Sequence, residues 1–139
     1  MGKLPGIFNV AVEAVIVKNG KVLITQRSFE RSHAPGEWEI ITGRVDQGET
    51  FEEALKREVK EEVNLVVEPL QPFNTFHFFR GPEKAEHLGV SFLCEYVSGE
   101  IALNDKEQIA YKWTTPKAAL SLIKDISIIN SIHKLEEII

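Results

Sequence analysis

Between Gly43 and Leu65 the chain passes from a polar, glycine-bearing stretch into a segment whose local chemistry favours a helix. Thr50-Phe51-Glu52-Glu53 has the form of a capping box, in which the threonine hydroxyl and the glutamate three residues on satisfy each other's free backbone N–H groups. Phe51, Ala54, Leu55, Val59 and Val63 then recur at helical spacing, which predicts a buried stripe. Glu58, Glu61 and Glu62 stack on a narrow face mainly away from that stripe, where like charges repel. A hard divalent cation turns that repulsion into a binding site, because such ions take several carboxylate oxygens. Glu52 with Lys56 and Glu53 with Arg57 have the order that favours helical ion pairs. Asn64 falls where a helix ends in a left-handed residue, for which asparagine is the usual substitute for glycine.

The flanking sequence supplies strands. Val10 to Val17 is apolar and β-branched, broken only by Glu13, and Val22 to Thr25 is a second such run. Asn19-Gly20 between them is a strong hairpin signal. Ser28 to Glu37 reads as a loop, Trp38 to Thr42 as a short extended segment, and Gly43 to Glu49 as a loop able to approach a ligand closely. Phe73 to Arg80 and Leu88 to Val97 are strand-like around a turn at Gly81 to Lys84, and Glu100 to Leu103 and Ala110 to Trp113 add two short strands. Thr115-Pro116 predicts a helix start continuing over Ala118 to Lys124. Asp125 caps a last helix with Ile128, Ile129, Ile132, Leu135 and Ile139 on one side. Strands, helix, strands, helix is an α+β order, with helices packed on a mixed sheet.

The 139 residues suit one domain with a single substantial core. A net charge of -5 without a basic stripe argues against nucleic-acid binding, while a bound metal still permits a small polyanionic substrate. The single cysteine, Cys94, excludes an internal disulfide framework and fits a reducing compartment. No apolar run is long enough to span a membrane, and Met1 to Gly6 lacks the apolar core of a signal peptide. Gly2 alone hints at myristoylation, against which Gly6 stands at the expected Ser/Thr position. These features predict a cytoplasmic protein.

Gly43, Glu49, then Arg57-Glu58-Val59-Lys60-Glu61-Glu62-Val63-Asn64-Leu65 closely resembles the box of the Nudix hydrolase superfamily, departing only where Asn64 replaces its last glycine. The resemblance implies an α/β/α sandwich and a Mg²⁺-dependent hydrolase, with Mn²⁺ able to substitute. It implies Glu58, Glu61, Glu62 and the Gly43 carbonyl as metal ligands, with Glu61 or Glu62 taking a proton from water. Arg57 and Glu49 are expected to pair, locking loop to helix so that the ligands are pre-positioned. The expected reaction cleaves a diphosphate bond in a nucleoside diphosphate linked to another moiety, foremost a nucleoside triphosphate giving nucleoside monophosphate and pyrophosphate. Trp38-Glu39 resembles the lead-in of nucleotide-pool-cleaning members, although Ile41 and Thr42 depart from their proline and first glycine. A homodimer is compatible with the family, and nothing in the sequence demands one.

Other residues carry weaker signals. Arg27, Arg31 and His33 stand where they reach phosphate or are merely solvated. Trp38 stacks on a base or joins the core. Glu107 is a further acid from a late loop or an ordinary surface carboxylate. At most half of Phe76 to Phe79 faces the site. Three alternatives stay open: an ADP-ribose or nucleotide-sugar pyrophosphatase, an isopentenyl diphosphate isomerase needing a reactive cysteine, and a nucleotide sensor without catalysis.

Overall fold

The computed structural model describes residues 6–139, so the expectations resting on Met1 to Pro5 lie outside the described residues. The opening hairpin joins β1 (Asn9–Lys18) to β2 (Lys21–Arg27). Asn19 and Gly20 have φ of 52° and 76°, the left-handed pair that lets a two-residue turn follow the twist of its strands. There follow β3 (Trp38–Glu39), β4 (Ile41–Arg44), α1 (Phe51–Val63), β5 (Val66–Arg80), β6 (Ala85–Ser98), β7 (Gln108–Thr114), α2 (Pro116–Leu122) and α3 (Ile126–Ile138).

The sheet is mixed. Its order is β3-β2-β1-β6-β5, with β4 also paired to β1 and β7 to β2. β1 and β6 run parallel, and the other pairs are antiparallel. β1 meets β2 only around Val17 and Lys18, then diverges and pairs with β4 over Ala11 to Ala14. This fork sets Gly43 opposite Val12, at the edge of the region where the functional candidates gather.

Strand alternation divides the apolar residues between two layers. Val12, Ala14, Ile16 and Leu23 face α1 and pack with Ala54, Leu55, Val59 and Val63. Val15, Val22, Ile24 and Ile40 face the other way, onto Ala119 of α2 and Ile128, Ile132 and Leu135 of α3. The α/β/α layering follows from this two-sided burial.

Both ends of α1 match their sequence signals. Thr50 and Glu53 close the capping box, and Asn64 caps the C-terminus in the left-handed region with φ 62°. The N-caps at Thr115 and Asp125 also form. Several expectations need correcting. Glu100 to Leu103 is not a strand; its backbone runs along the end of α1, with Ala102 N–H donating to Val63 O and Asn104 N–H to Glu62 O. Phe51 is exposed at the helix start rather than buried. Gly43 and Arg44 belong to β4, so the loop begins at Val45. β5 starts at Val66, α2 stops at Leu122, and Ile139 is exposed. The two helical ion pairs do not form: Glu53 is engaged in the cap and Lys56 reaches Glu68 at 3.7 Å.

Candidate active site

Glu58, Glu61 and Glu62 share α1 in unlike environments. Glu62 is buried, Glu58 nearly so, and Glu61 faces solvent with its side chain 59% exposed. Burial, reinforced by Glu58, Glu39 and Glu107, pushes the Glu62 carboxyl up to about 9. Burial also raises Glu58, although Arg57 opposes it. Gly43 is required beside them, because a Cβ there would stand 2.1 Å from the Glu58 carboxyl carbon. Two desolvated carboxylates one turn apart against a bare glycine backbone fit a hard divalent cation. Among the described residues no three acidic, histidine or cysteine side chains converge closely enough to hold a metal ion by themselves. Mg²⁺ does not require that, since it keeps several waters and completes its shell with substrate phosphates.

Arg57 organises the box. Its Nε donates to Glu49 Oε2 at 2.7 Å and Nη2 to Glu49 Oε1 at 2.8 Å, the two-pronged pair expected from the sequence. The same guanidinium donates to the Arg44 carbonyl and to Glu58, and lies 3.4 Å from Glu61. The Arg57 contact, helped by Asp46 N–H, holds Glu49 down to about 2. One side chain thus ties β4, the loop and two of the acidic residues together.

A cavity of about 500 Å³ opens beside Gly43 and Glu62. Arg27, Arg31, His33 and Trp38 line it, so four of the sequence candidates share one space with the box. Their roles differ. Arg27 is buried and engaged, donating to the His33 carbonyl at 2.8 Å and to Glu39 at 2.9 Å; it braces the loop rather than standing free for phosphate. Arg31 is less committed, 3.7 Å from Glu39 and 3.8 Å from Glu107. Trp38 is half-buried, packs with the α2–α3 layer and also lines the cavity. Glu107 sits on a loop tied to Ser28 and Asn104, near enough to Glu62 to raise its pKa.

The structure adds residues that the sequence did not single out. Glu39 is fixed by Arg27 and by Gln108 Nε2 at 2.9 Å, and faces the cavity. Glu13 also lines it, 2% exposed, its Oε1 accepting from Ser91 and Ser131. Burial pushes its carboxyl up to about 7. A lone acid inside a β-branched run was the available signal for Glu13. His87 lines the same cavity, stacked 4.6 Å from Phe78; so do Phe76, Phe78 and Phe79, three residues of a stretch expected to offer at most half of its four. Cys94 is buried in the α1-side core, and burial pushes its thiol up to about 12. It is not the reactive cysteine that an isomerase of this architecture needs.

Comparison with known proteins agrees with this geometry. The NUDIX domain model matches residues 8–133. The nucleoside triphosphatase NudI of Salmonella agona (strain SL483) is 30% identical over 112 residues, which cover 74% of this chain and 79% of that one. The crystal structure of a MutT protein from Methanosarcina mazei Go1 superposes with a TM-score of 0.77 at 21% identity, covering 97% of this chain and 96% of that one. The E. coli dihydroneopterin triphosphate pyrophosphohydrolase gives 0.70 at 28% identity, covering 92% and 96% respectively.

Proposed function

Since this chain belongs to the NUDIX domain family and is a Nudix pyrophosphohydrolase, we propose that its substrates are nucleoside triphosphates, cleaved to nucleoside monophosphate and pyrophosphate with Mg²⁺, or Mn²⁺ in its place. The observation that carries this reading is the pair of desolvated carboxylates, Glu58 and Glu62, beside Gly43 at the mouth of a cavity large enough for a nucleotide. Nucleoside triphosphatase in the name of a relative at 30% identity favours that substrate class over ADP-ribose or a nucleotide sugar.

Glu58, Glu62, Glu61 and the Gly43 carbonyl would hold the cation. When bound, Mg²⁺ polarises the phosphoryl group and offsets the charge that develops on the leaving phosphate. The chain's own groups do the rest. Arg57 and Glu49 keep β4 and α1 in register, so the ligands need not reorganise. Arg31, held only by long contacts, turns toward the phosphates. Glu61, exposed and lightly held, takes the proton from the attacking water, and Glu107 stands near as a further acceptor. The free thiol supports a cytoplasmic setting; among the described residues no helix is long and apolar enough to cross a membrane.

Glu61→Gln and Glu62→Gln test this assignment. Each is expected to remain folded by circular dichroism and to lose turnover by at least about a hundredfold, the scale on which one transition-state contact acts. Near-wild-type rates for both would sink it. A nucleotide that raises the melting temperature with Mg²⁺ yet is recovered intact would support the sensor alternative instead.

A further inference from the structure

Away from the box, the cavity is a built recognition surface. Gly89 has no side chain, and a Cβ there would meet the Phe76 ring at 2.0 Å. The ring therefore lies down across β6, where Gly89 pairs with Ala11 on one side and Phe76 on the other. Phe76 and Phe78 are nearly parallel, 11° apart with centroids 6.0 Å from each other; Phe78 stacks on His87 and carries the Arg80 guanidinium 4.7 Å over its ring. Phe78 is thus already covered, and Phe76 is the aromatic ring offered to the cavity.

Glu13 stands two residues along β1 from Ala11, on the same face of the sheet. Ser91 Oγ donates to its Oε1 at 2.7 Å and Ser131 Oγ at 2.6 Å, while Asn74 Nδ2 supports Ser131 at 3.0 Å. The carboxyl group is thereby fixed in place, buried, and bordering the cavity. Its Oε2 accepts no hydrogen bond among the described residues. It is not among the buried atoms left without a partner, so it is open at the cavity wall, and a fixed carboxylate oxygen there can accept a ligand N–H.

On the reading that this cavity receives a nucleotide, we infer that Glu13 is a specificity residue, its Oε2 accepting from an exocyclic amino group of a base packed against Phe76. The substrate class narrows to triphosphates of amino-bearing heterocycles, against those whose ring edge carries only carbonyls. An N–H donor at that point also favours the ionised carboxylate that burial disfavours.

The test compares GTP with ITP, which lacks only the 2-amino group, and CTP with UTP, by kcat/KM in Mg²⁺. Binding of the four corresponding monophosphates is measured in parallel by calorimetry. At least one pair is expected to favour its amino member by about tenfold or more, since a site built to bond an N–H rejects analogues without it. Glu13→Gln, whose amide oxygen still accepts from both serines, is expected to erase that preference, mainly through KM. Discrimination under twofold in both pairs, or a preference that survives Glu13→Gln, overturns the proposal. Should no triphosphate be hydrolysed, the hydrolase reading fails by itself, and the monophosphate binding ratios still decide the role of Glu13 by the same thresholds. Phe76→Leu is the second variant, expected to weaken all four monophosphates together without changing their ratios. Altered ratios in Phe76→Leu would count against Glu13 as the discriminating group.

Discussion

At the residue scale, the proposed metal ligand Glu62 would set stability against function. A carboxylate pushed up to about 9 by burial destabilises the metal-free fold at neutral pH. Glu62→Gln is therefore expected to raise the melting temperature of the metal-free protein at pH 8 while turnover collapses, a combination that separates a functional acid from a structural one. Calorimetric scans with and without a chelator check it; a lower melting temperature in both would contradict the assignment. Glu13 gives a pH prediction of definite sign. Its folded pKa, about 7, lies above the ordinary 4.5. Its contribution is thus fully present below about 4.5 and is lost as pH rises through about 7. Urea denaturation of wild type against Glu13→Gln is expected to show stability diverging over that window, with a slope approaching about 1.4 kcal/mol per pH unit. Parallel profiles would show that Glu13 does not titrate there. Of these two acids, Glu62 stood out in the sequence only because Gly43, Glu49 and Arg57 stand in register with it in the box. Glu13 was visible only as an interruption, because its partner Ser131 lies 118 residues away and no local pattern links them.

At the scale of elements, α1 was readable because its determinants are local: a capping box, an apolar stripe and a left-handed terminal asparagine. Asn64→Gly should be nearly silent in melting temperature, whereas Asn64→Val should cost about 1–2 kcal/mol, the penalty for a bulky residue in that conformation. Equal effects from both would mean that the cap does not set the helix end. Arg57→Lys keeps the charge and loses the fork that grips Glu49. Activity is expected to fall about 10- to 100-fold, the usual penalty for loosening the support of a metal site, with secondary structure intact by circular dichroism. The elements that sequence missed were set by tertiary contacts. Glu100 to Leu103 has strand-like residues, yet its backbone bonds to the end of α1 instead of to another strand. The start of β5 was hidden by Pro69 and Pro72, which an edge strand accommodates where its register shifts. The ion pairs expected along α1 lost to stronger competitors, since the Arg57 guanidinium finds Glu49 across the loop.

At the scale of the whole molecule, the fork between β1, β2 and β4 brings Gly43 to Glu58, and the packing of α3 on the same sheet brings Ser131 to Glu13. The two ends of the cavity are joined only by the fold, which is why the box resembles a family signature in the sequence while the surroundings of Glu13 left no local pattern there. Metal linkage follows from the same arrangement. Mg²⁺ well above its dissociation constant should raise the melting temperature of wild type, as any ligand that binds only the folded state does. That increment should shrink in Glu58→Gln; an undiminished increment would place the ion elsewhere. The most direct test of the account is the identity of the products. With a nucleoside triphosphate and Mg²⁺, phosphorus NMR is predicted to show nucleoside monophosphate and pyrophosphate appearing together, abolished by chelation and by Glu62→Gln. Release of nucleoside diphosphate and orthophosphate, or turnover that persists without a divalent ion, would contradict it.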